Sequence, residues 1–148
     1  MYTQESVLVD DFINILPTSN FADAGKIRYA KEFDYRSGRT DVIILTENGD
    51  VVAFEAKLEK WRDALHQAYK NTCFAHYSYV LLPEHIALRA AQYDIEFKNR
   101  AVGLCYLSNG HLVIVQGAPK NEPLQKWLLN RAIEQLEGKD GPRRDRSN

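Results

Sequence analysis

Two runs rich in Val and Ile flank a turn signal in the stretch GRTDVIILTENGDVVAFEAK, at residues 38–57. Asn-Gly between apolar runs is one of the strongest short-range signals for a β-hairpin. A charged residue stands at the outer end of each run, Asp41 on the first and both Glu55 and Lys57 on the second. The sequence therefore predicts that a tight hairpin carries these three charges to one edge of a sheet.

The length of the hairpin loop decides whether the three charges meet, because side chains alternate between the two faces of a strand. A two-residue turn at residues 48–49 would point Asp41 away from the face that carries Glu55 and Lys57. A three-residue loop at residues 48–50, with its glycine in the left-handed conformation, would place Asp41 opposite Lys57 and diagonal to Glu55. We predict this odd register, in which the charges converge.

The rest of the chain alternates between helical and strand patterns. Helices are expected at residues 3–16 (with Thr3 as the N-cap), 60–72, 84–93 and 122–138, and further strands at 26–33, 76–83, 101–107 and 111–116. The order α, β, β, β, α, β, α, β, β, α predicts an α/β fold with a mixed sheet flanked by helices, closed by a C-terminal hairpin and helix. We expect residues 1–138 to form one domain and residues 139–148 to be a polar, disordered tail.

Composition excludes several classes of protein. The 148 residues carry a formal net charge of −1, so the strongly basic balance typical of many nucleic-acid-binding proteins is missing. No apolar run approaches the ~20 residues of a membrane helix, and the acidic N-terminus does not resemble a signal peptide. The two cysteines form no CxxC pair. We expect a cytoplasmic protein with reduced thiols.

Two carboxylates and a lysine at one sheet edge point to a particular chemistry. Mg²⁺ prefers oxygen ligands in near-octahedral geometry and keeps several waters. Two carboxylates and a backbone carbonyl can hold the ion, while a nearby ammonium orients an attacking water and offsets charge that develops on phosphorus. The hypothesis from the residues alone is a metal-assisted phosphodiester hydrolysis.

These residues resemble the PD-(D/E)XK nuclease superfamily over roughly residues 3–83. Asp41 takes the place of the family aspartate, and Glu55-Ala56-Lys57 takes the place of the (D/E)XK motif, while Thr40 stands where the motif name has proline. The resemblance implies a restriction-endonuclease-like αβββαβ core and a Mg²⁺- or Mn²⁺-dependent deoxyribonuclease. It further implies that Asp41, Glu55 and the Ala56 carbonyl hold the metal and that Lys57 is catalytic.

The resemblance also implies two supporting positions. A first-helix glutamate often reaches the metal in this family; Glu5 is the candidate here, with Asp10 and Asp11 as rivals, although an acid in a helix's first turn is equally explained by the helix dipole. A glutamine on the helix after the lysine strand is also common, and Gln67 occupies that place. An ordinary exposed glutamine explains Gln67 equally well.

Three basic residues near the predicted site could contact the phosphate backbone of DNA. Arg36 and Arg39 lie in the turn before the aspartate strand, and Lys60 lies just before the next helix. Solvation of a turn explains each arginine as well. The chain has no separate recognition domain, so specificity would come from DNA structure, a homodimer or a partner subunit.

Two other functions remain open from the sequence. One is an inert nuclease-fold module that binds or regulates. The other is an interaction protein with an unrelated α/β fold, in which the strand-end charges are only surface. The position of Asp41, Glu55 and Lys57 in space separates these alternatives.

Overall fold

The computed structural model describes residues 2–36 and 38–138, which contain five α-helices and six strands. The helices are α1 (Glu5–Ile15), α2 (Trp61–Asn71), α3 (Glu84–Ala90), α4 (Asp94–Asn99) and α5 (Lys126–Leu136). The strands are β1 (Arg28–Tyr35), β2 (Gly38–Leu45), β3 (Val51–Ala56), β4 (Tyr77–Leu82), β5 (Gly103–Ser108) and β6 (His111–Gln116).

The six strands form one mixed sheet in the order β1-β2-β3-β4-β5-β6. β1, β2 and β3 make an antiparallel meander, β4 lies parallel to β3, β5 lies parallel to β4, and β6 closes a second hairpin. The predicted α/β class with a mixed sheet is confirmed. The order from α1 to β4 is compatible with the αβββαβ core of a restriction-endonuclease-like fold.

Both faces of the sheet are covered by helices, as parallel neighbours in a sheet require. Phe12 of α1 packs against Phe54 of β3, with their ring centroids 4.5 Å apart. On the other face, Ala53 of β3 belongs to the same buried cluster as Leu128 and Ala132 of α5. Successive residues of β3 therefore bury on opposite faces, and all six are buried.

The first hairpin has an odd loop, but the loop lies one residue earlier than predicted. The Thr46 N–H donates to the Asp50 carbonyl (2.9 Å), and the Gly49 N–H donates to the Thr46 carbonyl (3.0 Å). The three-residue loop is therefore 47–49, with Gly49 in the left-handed conformation at φ 86°. The pairing of Leu45 with Val51 is part of the same register.

This register corrects the predicted partner of Asp41. Val42 pairs with Phe54, so Asp41 comes directly opposite Glu55 rather than opposite Lys57. The shift is two residues, and a two-residue shift preserves which face each side chain occupies. The predicted odd register is therefore confirmed, while the predicted opposition of Asp41 and Lys57 is wrong.

The alternation of β2 breaks at Asp41. Val42 is buried in the cluster under α1, whereas the Thr40 hydroxyl donates to Asn71 of α2 on the other face. Residues two apart on a regular strand share a face. Glu32, at the matching position of β1, has a positive φ of 55°, and the pairs on either side of it keep their register. Asp41 thus lies where both strands are irregular.

Several predicted boundaries shift. α1 begins after Gln4 and has no side-chain cap, so Thr3 is not the N-cap. The last helix begins at Lys126 rather than at residue 122. α4 was not predicted; it forms because Phe97 is fully buried beside Trp61. The predicted tail at residues 139–148 lies outside the described residues.

None of the helices that the structure describes is both long and apolar enough to cross a bilayer.

Candidate functional site

The site lies where β2 and β3 separate. The antiparallel pairing of these strands reaches only to Val42 and Phe54. Beyond that pair, the Asp41 carboxylate continues the contact between the strands, because its Oδ2 accepts a hydrogen bond from the Ala56 N–H at 2.8 Å. This contact fixes the half-buried Asp41 side chain beside the end of β3.

Glu55 is the one acid among the described residues that is buried, with 7% of its surface exposed. Burial, and after it the neighbouring Asp41 carboxylate, together raise the pKa of Glu55 to about 9. Without a cation, the Glu55 carboxyl therefore keeps its proton at neutral pH.

Asn71 anchors Glu55 from the opposite side. Its Nδ2 donates to Glu55 Oε2 at 3.0 Å, and Asn71 itself is fully buried. Its Oδ1 accepts from the Tyr35 hydroxyl (2.6 Å) and from the Thr40 hydroxyl (2.8 Å). This buried network leaves Glu55 little freedom to rotate.

Gln67 contacts this network but not Glu55 itself in the described hydrogen bonds. Its Nε2 donates to the Tyr35 hydroxyl (3.2 Å) and to Asn71 Oδ1 (3.3 Å). The amide lies over Gly38, where an added Cβ would approach Nε2 to 2.7 Å. The amide that touches the acid is therefore Asn71, one helical turn beyond the residue predicted for that place.

Lys57 is in contact with α1. Its Nζ lies 3.7 Å from Glu5 Oε2, and both side chains are partly exposed. The structure thus brings Glu5 to the lysine that follows Glu55, as expected if the first helix borders the site. The rival acids of α1 are engaged elsewhere, Asp10 with Lys31 and Asp11 with the Tyr2 hydroxyl.

The three predicted DNA contacts differ in their surroundings. Arg39 is held by acids of β1, because its Nε donates to Asp34 at 2.7 Å and a terminal nitrogen lies 3.6 Å from Glu32. Arg36 is exposed in the turn after β1, and Lys60 is exposed immediately before α2. Arg39 would have to leave its present partners to reach a phosphate.

The oxygen atoms at the β2–β3 fork, the place where these two strands separate, suit a hard cation. Asp41 and Glu55 present oxygens side by side, and the Ala56 carbonyl belongs to the same strand end. Among residues 2–36 and 38–138, no three His, Cys, Asp or Glu side chains are grouped to hold a metal ion. Glu5 is therefore not part of one cluster with the two fork carboxylates, and its role as a ligand stays a prediction.

Asn71 is the residue that the sequence did not single out. The helical spacing of this segment predicts a buried side made of Trp61, Leu65, Ala68, Tyr69 and Thr72. Tyr69 is instead 51% exposed, and Asn71 is buried with Ala64 and Ala68. Asn71 follows Ala64 and Ala68 at helical spacing, so a polar residue continuing an apolar stripe was the available signal.

Neither the family models nor the curated proteins with which the sequence was compared gave a match. Matches among solved structures include the following two. A protein of unknown function from Silicibacter pomeroyi is 18% identical, with a TM-score of 0.59 over 93% of this chain and 86% of that one. A repair endonuclease from Pyrococcus abyssi is 14% identical, with a TM-score of 0.49 over 73% of this chain and 49% of that one.

Proposed function

We propose that the protein is a metal-dependent nuclease that hydrolyses phosphodiester bonds in DNA. The observation that carries the proposal is the buried Glu55 carboxyl held against Asp41 at the β2–β3 fork. A buried pair of like acids is unfavourable for folding unless a proton or a cation lies between them. Such pairs with perturbed pKa values occur preferentially at functional sites.

Asp41, Glu55 and the Ala56 carbonyl would hold Mg²⁺ or Mn²⁺, and Glu5 would contribute directly or through water. The bound ion would supply Lewis-acid stabilisation of charge on the phosphate oxygens. Asn71 would keep Glu55 in the orientation that binding requires. The Lys57 ammonium would orient the attacking water and offset the negative charge that develops on phosphorus.

The reaction balances with water as the only co-reactant. The water oxygen forms a bond to phosphorus, the bond from phosphorus to the leaving sugar oxygen breaks, and that oxygen gains a proton as the water loses one. Arg36, Arg39 and Lys60 would contact the phosphate backbone on either side. Gln67 would act through Asn71, the residue to which it donates.

The test is cleavage of supercoiled, linear, branched and single-stranded DNA with Mg²⁺ or Mn²⁺, followed by excess chelator. The wild type should cut at least one substrate, and Asp41→Asn, Glu55→Gln and Lys57→Met should each lower the rate about 100-fold or more. Lys98→Met removes an exposed lysine of α4 and should not change the rate. Cleavage that survives chelator or all three substitutions would refute the proposal.

A second candidate is a nuclease-fold module that binds DNA without cutting it. The contact between Lys57 and Glu5 favours this alternative, because the acid partly neutralises the ammonium that catalysis needs. Metal-independent DNA binding, with no cleavage of any substrate by the wild type, would support it.

A further inference from the structure

A cavity of about 540 Å³ is lined by residues that are close in sequence to the pair formed by Lys57 and Glu5. Leu58, the residue after Lys57, and Thr3, two residues before Glu5, both belong to the lining. The remaining lining comes from the N-terminus, the β3–α2 loop, the start of α3 and β5, and consists of Tyr2, Glu59, Pro83, Glu84, His85 and Leu107. Its size falls in the range of pockets that hold small organic groups.

The cavity combines an apolar wall with a polar rim. Tyr2, Leu58 and Leu107 are half-buried and pack against the core cluster under α1. The Tyr2 hydroxyl is bonded to Asp11 at 2.8 Å, so the ring is held in place and offers its surface to the cavity. Glu59 and Glu84 are exposed at the rim. A flat ring with polar edges fits such walls.

The charges around the cavity indicate what can enter it. Its described lining contains the carboxylates of Glu59 and Glu84 and the imidazole of His85, but no lysine or arginine. Carboxylates repel phosphate and accept hydrogen bonds from amines. The lining does not form a metal site either, because no three His, Cys, Asp or Glu side chains among the described residues are grouped to hold a metal ion. A nucleobase with an exocyclic amine satisfies both conditions.

We propose that this cavity receives an unpaired base carrying an exocyclic amine, from the DNA strand whose phosphate lies at Lys57. The inference rests on the proposed nuclease function and deepens it. A base inside a duplex is stacked and has its amine occupied by its partner, so it must leave the helix to enter. The protein would therefore prefer DNA with unpaired bases, as at a flap, a bulge or a single-stranded end.

The test measures DNA binding by fluorescence anisotropy in a Glu55→Gln background, which prevents cleavage. The probes are branched oligonucleotides with one unpaired position that holds adenine, purine (which lacks the amine) or an abasic site. Thr3→Trp fills the cavity from an exposed position, and Glu59→Ala/Glu84→Ala removes the rim carboxylates. Glu134→Gln, which alters an exposed acid of α5 outside the cavity, is the control.

Adenine should bind about tenfold more tightly than the abasic probe, and purine should fall between them. Thr3→Trp should abolish the preference for a base, and the rim variant should abolish only the difference between adenine and purine. Glu134→Gln should preserve both. Equal affinity for all three probes, or a preference that Thr3→Trp leaves intact, would overturn the proposal, provided that melting curves show both variants folded.

Cleavage by the wild-type protein separates this inference from the function on which it rests. Metal-dependent cleavage without any base preference would refute base binding in the cavity but not the nuclease function. Base-selective binding without cleavage would refute the nuclease function but not base binding in the cavity. Binding of free deoxyadenosine but not of the adenine oligonucleotide would also refute a role for the cavity in DNA recognition.

Discussion

Asn71 Nδ2 donates to Glu55 Oε2 across 3.0 Å, and both side chains are buried. Asn71 is also the acceptor for two hydroxyls, so a single side chain connects the acid to β1 and to β2. Buried networks of this kind stabilise a fold only when each member has its partner. The orientation of Glu55 therefore depends on Asn71.

Asn71→Asp should destabilise the protein by about 1–3 kcal/mol at neutral pH, because Glu55 loses its donor and a new carboxylate is buried beside it. The new carboxylate can still accept from Tyr35 and Thr40, so those two hydrogen bonds are kept. Urea denaturation measures the loss, with the exposed Asn99→Asp as control. Adding Glu55→Gln supplies an amide donor that faces the introduced carboxylate, and it should recover most of the stability without restoring cleavage; no recovery would contradict the assignment of this bond.

The stability of the metal-free protein should fall as pH rises from about 5 to about 9. Burial and Asp41 raise the pKa of Glu55 in the folded state to about 9, against 4.5 for the ordinary group. Between these values the folded state keeps a proton that the unfolded state has lost, so the stabilisation present at low pH is lost through this window. Chemical denaturation in chelator at several pH values should show this slope.

Glu55→Gln is the matched variant for that measurement. At pH 4 it should resemble the wild type, because Glu55 is then neutral in both states. At pH 9 it should be the more stable of the two by a few kcal/mol, since it has no charge to bury. Parallel pH profiles for the two proteins would show that Glu55 does not cause the slope.

Mg²⁺ or Mn²⁺ should raise the melting temperature of the wild type at neutral pH. A ligand that binds only the folded state stabilises it by about 2.7 kcal/mol at 100 times its Kd. Asp41→Asn should abolish the shift, because it removes one charged ligand while keeping an oxygen that accepts from Ala56. An equal metal shift in both proteins would place the ion elsewhere.

Glu5→Gln tests the acid that touches Lys57. The pair is partly exposed and 3.7 Å apart, so its loss should change stability by less than about 1 kcal/mol. If Glu5 helps to hold the ion, cleavage should need a higher Mg²⁺ concentration, with the maximal rate recovered at saturation. Asp10→Asn is the control on the same helix, and equal Mg²⁺ dependence in both variants would exclude Glu5.

Gly38→Ala should displace the Gln67 amide. A Cβ at residue 38 would lie 2.7 Å from Gln67 Nε2, and the flexible end of that side chain must move. We expect a loss of about 1 kcal/mol from the hydrogen bonds that Gln67 makes. In a double-mutant cycle, Gly38→Ala should cost almost nothing once Gln67→Ala is present; additive effects would mean that the two residues do not interact.

Local signals in the sequence were sufficient for the hairpin and for the order of the core. Asn48 and Gly49 mark the turn because only a few residues adopt a positive φ without strain. The register shifted by two because Thr46 and Asp50 pair with each other, and this pairing leaves no trace in the apolar pattern. The loop still has an odd number of residues, as predicted, so Asp41 lies on the predicted side of the sheet.

Tertiary packing accounts for the parts that the sequence did not predict. α4 is too short to be stable alone, and its Phe97 is stacked on Trp61 of a different helix. The buried side of α2 depends on which strands it crosses, and this crossing sets Asn71 inward and Tyr69 outward. Contacts between distant segments of the chain therefore determine that Asn71 belongs to the candidate site.

The two fork carboxylates differ in what the fold gains from them. Asp41 accepts from the Ala56 N–H and completes the strand pairing, so a descendant that no longer needed the site would still have a structural reason to keep it. Glu55 accepts a hydrogen bond from Asn71, but an uncharged side chain of the same shape, such as glutamine, would accept it too and would be easier to bury. Under relaxed selection Glu55 should disappear first. Among relatives of this chain, retention of Glu55, rather than of Asp41, would mark those in which the site is still used.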